Sequence, residues 1–290
     1  MKSQIFNRLE SIEDLPSLPI VITKLTAAIQ NVESSAADVA KIMEEDPAIM
    51  ARVLKVVNSA FYANSFSRNP ITNVKHAIVR LGFDAVRNIA LTTSIFSVFK
   101  QDHSKLFKRK EFWRHCISTG IIANVVFTFT DQRKRPFAQE AVALAGLLHD
   151  IGKIVFEQYF YDLFTKVLQF GQEKELPLHV VEKEVLATGH AEVGAWLGRR
   201  WKLNPDLIAC IEFHHRPREA PEELRDMVSL VHIADYICNL KKLGQSGNVR
   251  PPELVQETWD SLGLDVAMLD DIMAKVEEEV HKSEILLALA

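Results

Sequence analysis

His149 and Asp150 stand side by side in the run Leu144-Ala145-Gly146-Leu147-Leu148-His149-Asp150-Ile151-Gly152-Lys153, at the end of an apolar segment. Imidazole and carboxylate are costly to bury without a partner. A divalent metal suits both at once, because neutral imidazole nitrogen and carboxylate oxygen are among its common ligands. Further candidates flank the pair: His115 upstream, and His190, His214, His215 and Asp235 downstream. Each also has an ordinary reading. His115 alone could be a hydrogen-bonded histidine on an apolar helix face. His190 could simply occupy a first helical turn, and His214-His215 could complement a helix C-terminus. Asp235 could pair with Arg or Lys. His76, His103, His179, His232 and His281 take the ordinary reading because none has a ligand-rich neighbour in sequence. His232, three residues before Asp235 on roughly the same helical face, is the nearest to an exception.

The elements that must position these residues are helices, since the apolar periodicity is helical nearly throughout and no run alternates with the period of two expected of strands. Ser35-Ala36-Ala37-Asp38 reads as a capping box, with Asp in place of Glu, ahead of a helix to about Glu44. Asp46-Pro47 reads as N-cap and N1 of the next helix, which Asn58-Ser59 breaks. Thr72 is expected to open a third helix, closed by Gly82 as a left-handed cap, and Asp84 to Phe99 to continue as an apolar helix. Downstream, His115 falls early in a helix from Trp113 to Phe129, and His149-Asp150 ends one that begins near Ala138. His190 opens a helix reaching Trp201. His214-His215 closes one from about Asp206, and Asp235 lies inside Leu224 to Leu240. A helical bundle can aim such side chains at one point although they are far apart in sequence.

Length and composition bound the rest. The chain has 290 residues, 48% apolar and 25% charged, an ordinary globular profile with ample material for a core. The net charge of -4 gives no general attraction to nucleic acid or anionic membrane. Arg133-Lys134-Arg135 is a short basic stretch that a charged loop explains equally well. Cys116, Cys210 and Cys238 are widely spaced and form no C-x-x-C pair, so a disulfide framework is not expected and a reducing cytoplasm fits. Cys116, next to His115, reads as a small buried hydrophobe. The first ten residues lack the apolar stretch of a signal peptide. The apolar run Ile121 to Phe129 falls well short of the roughly 20 residues a membrane span requires. The short apolar end Ile285 to Ala290 reads as packed on the core. The polar, basic stretch Gln101 to Lys110 marks the softest boundary, and Gly244-Gln245-Ser246-Gly247-Asn248-Val249-Arg250-Pro251-Pro252 is the clearest punctuation after it.

The ordered set H, HD, H, HH, D over about residues 111 to 240 resembles the HD superfamily of metal-dependent phosphohydrolases. In that likeness His115, His149, Asp150 and Asp235 match the first metal site. His190, His214 and His215, with Asp150 shared, match the second site of the di-metal HD-GYP branch, and Lys153 matches a lysine that contacts phosphate there. The first half narrows the resemblance. Leu15-Pro16-Ser17-Leu18-Pro19, Asp46-Pro47-Ala48, Val57-Asn58-Ser59-Ala60-Phe61-Tyr62 and Ala77-Ile78-Val79-Arg80-Leu81-Gly82 are similar to segments of the HDOD domain, the HD-related output domain of bacterial signalling proteins, over about residues 12 to 240.

The resemblance implies an all-α fold: an HD-like bundle with an N-terminal helical subdomain packed on it. The expected parts are residues 1–110, an HD-like core over 111–242, and a helical extension over 243–290. It implies a cytoplasmic signalling protein holding one or two divalent ions, with iron, manganese and zinc all compatible with His and Asp ligands. If catalytic, the reaction is metal-dependent hydrolysis of a phosphoester or nucleotide, with Asp150 and Lys153 in catalytic roles. The alternative is a non-catalytic interaction module in which the metal is absent, structural or sensory, with Phe61, Tyr62 and Phe66 as candidate contacts and core packing as their plainer reading. Many HDOD domains have lost metal ligands; this chain keeps a candidate at every position. It departs from HD-GYP in having no Gly-Tyr-Pro, in the segment Ile154-Val155-Phe156-Glu157-Gln158-Tyr159, and in His214-His215-Arg216 where that branch has His-His-Glu. Metal binding is therefore expected independently of cyclic di-GMP cleavage. The expected partner is a signalling protein or a small phosphorylated ligand, with no nucleic acid and no membrane span.

Overall fold

The computed structural model describes residues 1–12, 15, 19–30, 34–58, 71–99, 106–135 and 137–282. The expected contacts Phe61, Tyr62 and Phe66, most of Leu15–Pro19, the segment Ser59–Tyr62 and the tail Ile285–Ala290 lie outside the described residues. Within them the fold is all-α, as the periodicity predicts. None of the described helices is long and apolar enough to cross a membrane.

The chain divides into two compact units, one of residues 16–100 with 278–290 and one of residues 1–15 with 101–277. In the first, α2 (Ile20–Gln30), α3 (Ala36–Glu44), α4 (Pro47–Val57) and α5 (Val74–Val98) pack on one another, α5 receiving each of the other three. Their ends are fixed locally. The Ser35 hydroxyl accepts the Asp38 N–H at 3.3 Å while the Asp38 carboxylate accepts the Ser35 N–H at 2.9 Å, closing the capping box. Asp46 accepts the N–H groups of Ala48 and Ile49 at 3.0 Å ahead of Pro47. The third helix is opened by Asn73 rather than Thr72: the Asn73 side chain accepts the His76 N–H at 2.8 Å. Gly82, with φ 84° and ψ 168°, then breaks α5 where a left-handed residue is expected. Asn58 caps α4 and ties down the residue before the next strand of chain, its amide and carbonyl both bonded to the backbone of Ile71 at 2.7 Å.

The second unit comprises α1 (Lys2–Glu10), α6 (Arg109–Thr128), α7 (Gln139–Leu148), α8 (Ile151–Tyr159), α9 (Tyr161–Lys174), α10 (Leu178–Leu186), α11 (His190–Arg200), α12 (Pro205–Phe213), α13 (Arg225–Leu240), α14 (Gln256–Ser261) and the first turns of α15 (Leu269–Lys282). Helix α6 is buried on nearly every face and packs on both α7 and α13; α11 packs on α8 and α12, and α12 returns to α7. A helix apolar all round belongs in a core, and that is where the residues of α6 lie. Phe107, Phe112, Phe156, Phe160 and Phe164 stack edge and face behind this centre, with neighbouring ring centroids 5.0–6.1 Å apart. Each buried aromatic of this kind contributes about 1.5–3 kcal/mol by leaving water. The buried pair of Arg109 and Glu157 joins the start of α6 to the end of α8.

Candidate metal centre

The His149-Asp150 pair forms the joint between two helices. His149 is the C-cap of α7 and Asp150 the N-cap of α8. Asp is a favoured N-cap, yet here its carboxylate makes no capping bond and turns into the interior instead. Two residues on, Gly152 lets α8 approach α11. A Cβ at that position would fall 2.0 Å from the His190 carbonyl oxygen and 2.8 Å from the Gly194 nitrogen, so only glycine permits this packing. His190 is thereby carried to Asp150 at the first position of α11, His214 arrives as the C-cap of α12, and His115 and Asp235 face inward from the buried helices α6 and α13.

All seven residues singled out in the sequence come together, in two sets whose potential ligand atoms lie within 4.8 Å of one another: His115, His149, Asp150 and Asp235, and Asp150, His190, His214 and His215. Asp150 belongs to both, and its two oxygens face opposite ways. Oδ2 lies 3.6 Å from His115 Nε2 and 3.3 Å from His149 Nε2; Oδ1 lies 3.1 Å from His190 Nε2 and 3.7 Å from His214 Nε2. Asp235 Oδ1 completes the first set at 3.2 Å from His115 Nε2 and 3.4 Å from His149 Nε2. Lys153, wholly buried one turn after Asp150, donates from Nζ to Asp150 Oδ2 at 2.6 Å.

The histidines are held from behind. His149 Nδ1 donates to the Gly146 carbonyl at 2.7 Å, His214 Nδ1 to the Ile211 carbonyl at 2.9 Å, and His190 Nδ1 to Glu182 Oε2 at 2.5 Å. Committing the Nδ1 proton this way leaves Nε2 as the free nitrogen and fixes the ring, which is how metal-binding histidines are oriented. The free nitrogens then converge: His115 on His149 at 3.4 Å, and His190 on His214 at 3.3 Å and on His215 at 3.1 Å. Lone pairs facing each other at these separations repel unless a cation or a proton lies among them. Asp150 Oδ1, buried against the second set, has no hydrogen-bond donor. A carboxylate oxygen so placed is costly unless a positive charge meets it. The donor set and its orientation therefore fit divalent ions.

The electrostatics show the same demand. Burial disfavours the imidazolium of His149, but the carboxylates of Asp150 and Asp235 outweigh it and push its pKa up to about 10. Burial opposes ionisation of Asp150 and Asp235 too, yet the surrounding histidines and, for Asp150, Lys153 hold both well below the usual carboxylate range. In the second set burial dominates at two of the three histidines: His214 is pushed down to about 4 and His215 well below its ordinary value, so both stay neutral and able to ligate, whereas at His190 the carboxylates of Glu182 and Asp150 outweigh burial and raise the pKa.

Several residues at this site carried no sequence signal that singled them out. Glu182, fully buried on α10, accepts both the N–H and the Nδ1 of His190, completing a carboxylate–histidine arrangement, and its Oε1 has no partner. His179, read from sequence as ordinary, stacks on His215 with ring centroids 4.0 Å apart. His179 and His215 are half-buried residues, whereas the other six candidate ligands are buried. The one available signal was the spacing of His179 and Glu182, three apart and so on one helix face. His232 uses both ring nitrogens on the backbone, Nδ1 donating to the His214 carbonyl at 2.7 Å and Nε2 accepting the Val255 N–H at 2.9 Å. Arg216 is paired with Glu219 at 2.6 Å and lies over the Phe213 ring. Cys116 is buried, and burial pushes its thiol far up.

An all-α bundle that gathers His and Asp side chains from separate helices around a His-Asp joint defines the HD-like class of helical proteins. Within that class the family model of the HDOD domain matches residues 15–217, and the chain belongs to the HDOD family. Asp235, the last residue of the first set, lies beyond the matched segment. An uncharacterized protein of Treponema pallidum (strain Nichols) is 28% identical over 229 residues, which span 78% of this chain and 42% of that protein. Among solved structures, an HDOD domain protein of unknown function from Geobacter sulfurreducens is 25% identical with a TM-score of 0.77, covering 96% of this chain and 95% of its own. A candidate signal transduction protein from Marinobacter aquaeolei VT8 shares the fold at 21% identity and a TM-score of 0.79, covering 99% of this chain and 65% of its own. A candidate phosphohydrolase from Shewanella amazonensis SB2B does so at 22% and 0.70, covering 96% and 97%.

Proposed function

We propose that this HDOD protein is a signalling component whose helical core holds one or two divalent ions, and that the centre hydrolyses a phosphoester or nucleotide. The observation that carries the reading is the Asp150 carboxylate, with Oδ2 turned to His115 and His149 and the donor-free Oδ1 turned to His190 and His214. His115, His149, Asp150 and Asp235 would hold one ion, and Asp150, His190, His214 and His215 the other. Bound ions would supply Lewis acidity toward phosphoryl oxygen and lower the pKa of water to near neutrality. Lys153, together with His149, keeps Asp150 ionised and places a compact positive charge 2.6 Å from Asp150 Oδ2. The metal is iron, manganese or zinc, all of which accept this donor set.

The closed character of the centre favours a second reading. Six of the seven candidate ligands are buried, and the ammonium of Lys153 is already spent on Asp150. A site so enclosed also suits a structural or sensory ion in a regulatory module. A hydrolysis screen over phosphomonoesters, nucleotides and cyclic dinucleotides, run on metal-loaded protein, separates the two. Turnover that disappears in Asp150→Ala supports catalysis; a loaded protein inert to every substrate supports the regulatory reading. Turnover that survives Asp150→Ala belongs to another site or a contaminant.

A further inference from the structure

The segment from Leu243 to Val255 lies beyond the residues that the HDOD family model matches, and it touches the supports of several site residues at once. At its start Gly244 has φ +79° and lies against α6. A Cβ there would fall 2.4 Å from both the Glu111 carbonyl oxygen and the His115 nitrogen, and the Gln245 N–H donates to the Glu111 carbonyl at 2.9 Å. In its middle a chain of side chains runs back to Asp235. Asn239 Nδ2 donates to Asp235 Oδ1 at 2.6 Å, Ser246 Oγ donates to Asn239 Oδ1 at 2.6 Å, and Asn248 Nδ2 donates to Ser246 Oγ at 3.0 Å. Asn248 Oδ1 accepts the Leu178 N–H at 2.8 Å, at the start of the helix that carries His179 and Glu182. At its end the Val255 N–H meets His232, whose other nitrogen holds the carbonyl of His214.

We infer that residues 243–255 form a positioning strap for the metal centre, with Ser246 and Asn248 of the strap and Asn239 and His232 of α13 acting as positioning residues. The inference rests on the metal-binding reading. The polarity of the chain is fixed from both ends. Leu178 N–H can only donate and ionised Asp235 can only accept, so each amide between them has one workable orientation. That pins the Oδ1 of Asp235 where it faces His115 and His149. Carboxylate torsions are otherwise broad, and a ligand free to swing binds less well. Asn239, Ser246 and Asn248 are uncharged, so removing any of them changes the geometry of the centre and leaves its charge unaltered. The expected effect is largest at the ion on the Asp235 side, which the chain of side chains meets directly; the strap reaches the other set only at second hand, through the backbone of His214 and through the Leu178 N–H at the start of the helix that carries Glu182.

The test uses the full chain stripped by chelator and titrated with Co2+, reading the number of ions, their dissociation constants and the visible absorption of the bound cobalt. Ser246→Ala and Asn248→Ala should each weaken the ion on the Asp235 side about tenfold or more and shift its absorption band, with the second ion changed less in both. Ser246→Thr, which keeps the hydroxyl, should restore affinity and band. Parent-like affinity and absorption in both alanine variants would overturn the strap and leave the metal centre standing. Loss of the fold on removing this one buried loop hydroxyl would also overturn it, since the segment would then be a stability element. A parent that takes up no cobalt would overturn the metal centre itself, and the strap with it.

Discussion

Asp150 owes its character to its position. An N-cap aspartate would ordinarily spend its carboxylate on the first turn of its own helix, but this one turns inward, meets Lys153 with one oxygen and leaves the other without a donor. The choice of the seven candidate ligands was legible in the residue types, because a buried His-Asp pair with four more histidines and an aspartate on inward helix faces is unusual in an apolar core. The residues behind them were not legible. Glu182 looks like any helix glutamate until folding carries it to His190, eight residues away. Its role gives a direct prediction. Glu182→Gln keeps the shape and removes the charge that raises His190 as a donor, so the affinity of the ion at His190, His214 and His215 should fall by about tenfold. Isothermal titration of stripped protein reads this; an unchanged dissociation constant would make Glu182 a packing residue only.

At the scale of elements, the ends of helices were the most readable features. Ser35 with Asp38, and Asp46 with Pro47, close their helices through bonds that depend only on neighbours in sequence, and both expectations hold. Thr72 and Asn73 are adjacent residues that can both cap, and the structure uses the one whose side chain reaches the His76 N–H. Gly82 breaks the same helix with a positive φ that other residues adopt at a cost. What no periodicity could reveal is how closely helices cross. The contact of α8 with α11 depends on Gly152, where a methyl group would strike the backbone of His190. Gly152→Ala should lower stability by about 2–3 kcal/mol through overpacking, and it should weaken metal uptake because His190 is pushed from Asp150. Urea denaturation with a parent-like midpoint and slope would show that the two helices separate without cost. The loop from Gly244 to Pro252 was similarly opaque: its composition marks a turn region, while its bonds to Asn239 and Leu178 exist only in the folded chain.

At the scale of the molecule, the HDOD family assignment and the all-α fold describe the frame, and the convergence of the two histidine sets on Asp150 describes what the frame holds. That convergence predicts that the protein binds metal. Metal analysis of protein purified without chelator, paired with Asp150→Ala, measures this most directly. The parent should carry between one and two equivalents of iron, manganese or zinc, or take them up on reconstitution, and Asp150→Ala should lose both ions because each set loses a ligand. Less than about one tenth of an equivalent in the parent with no uptake on reconstitution, or an Asp150→Ala variant that retains its full complement, would contradict the account.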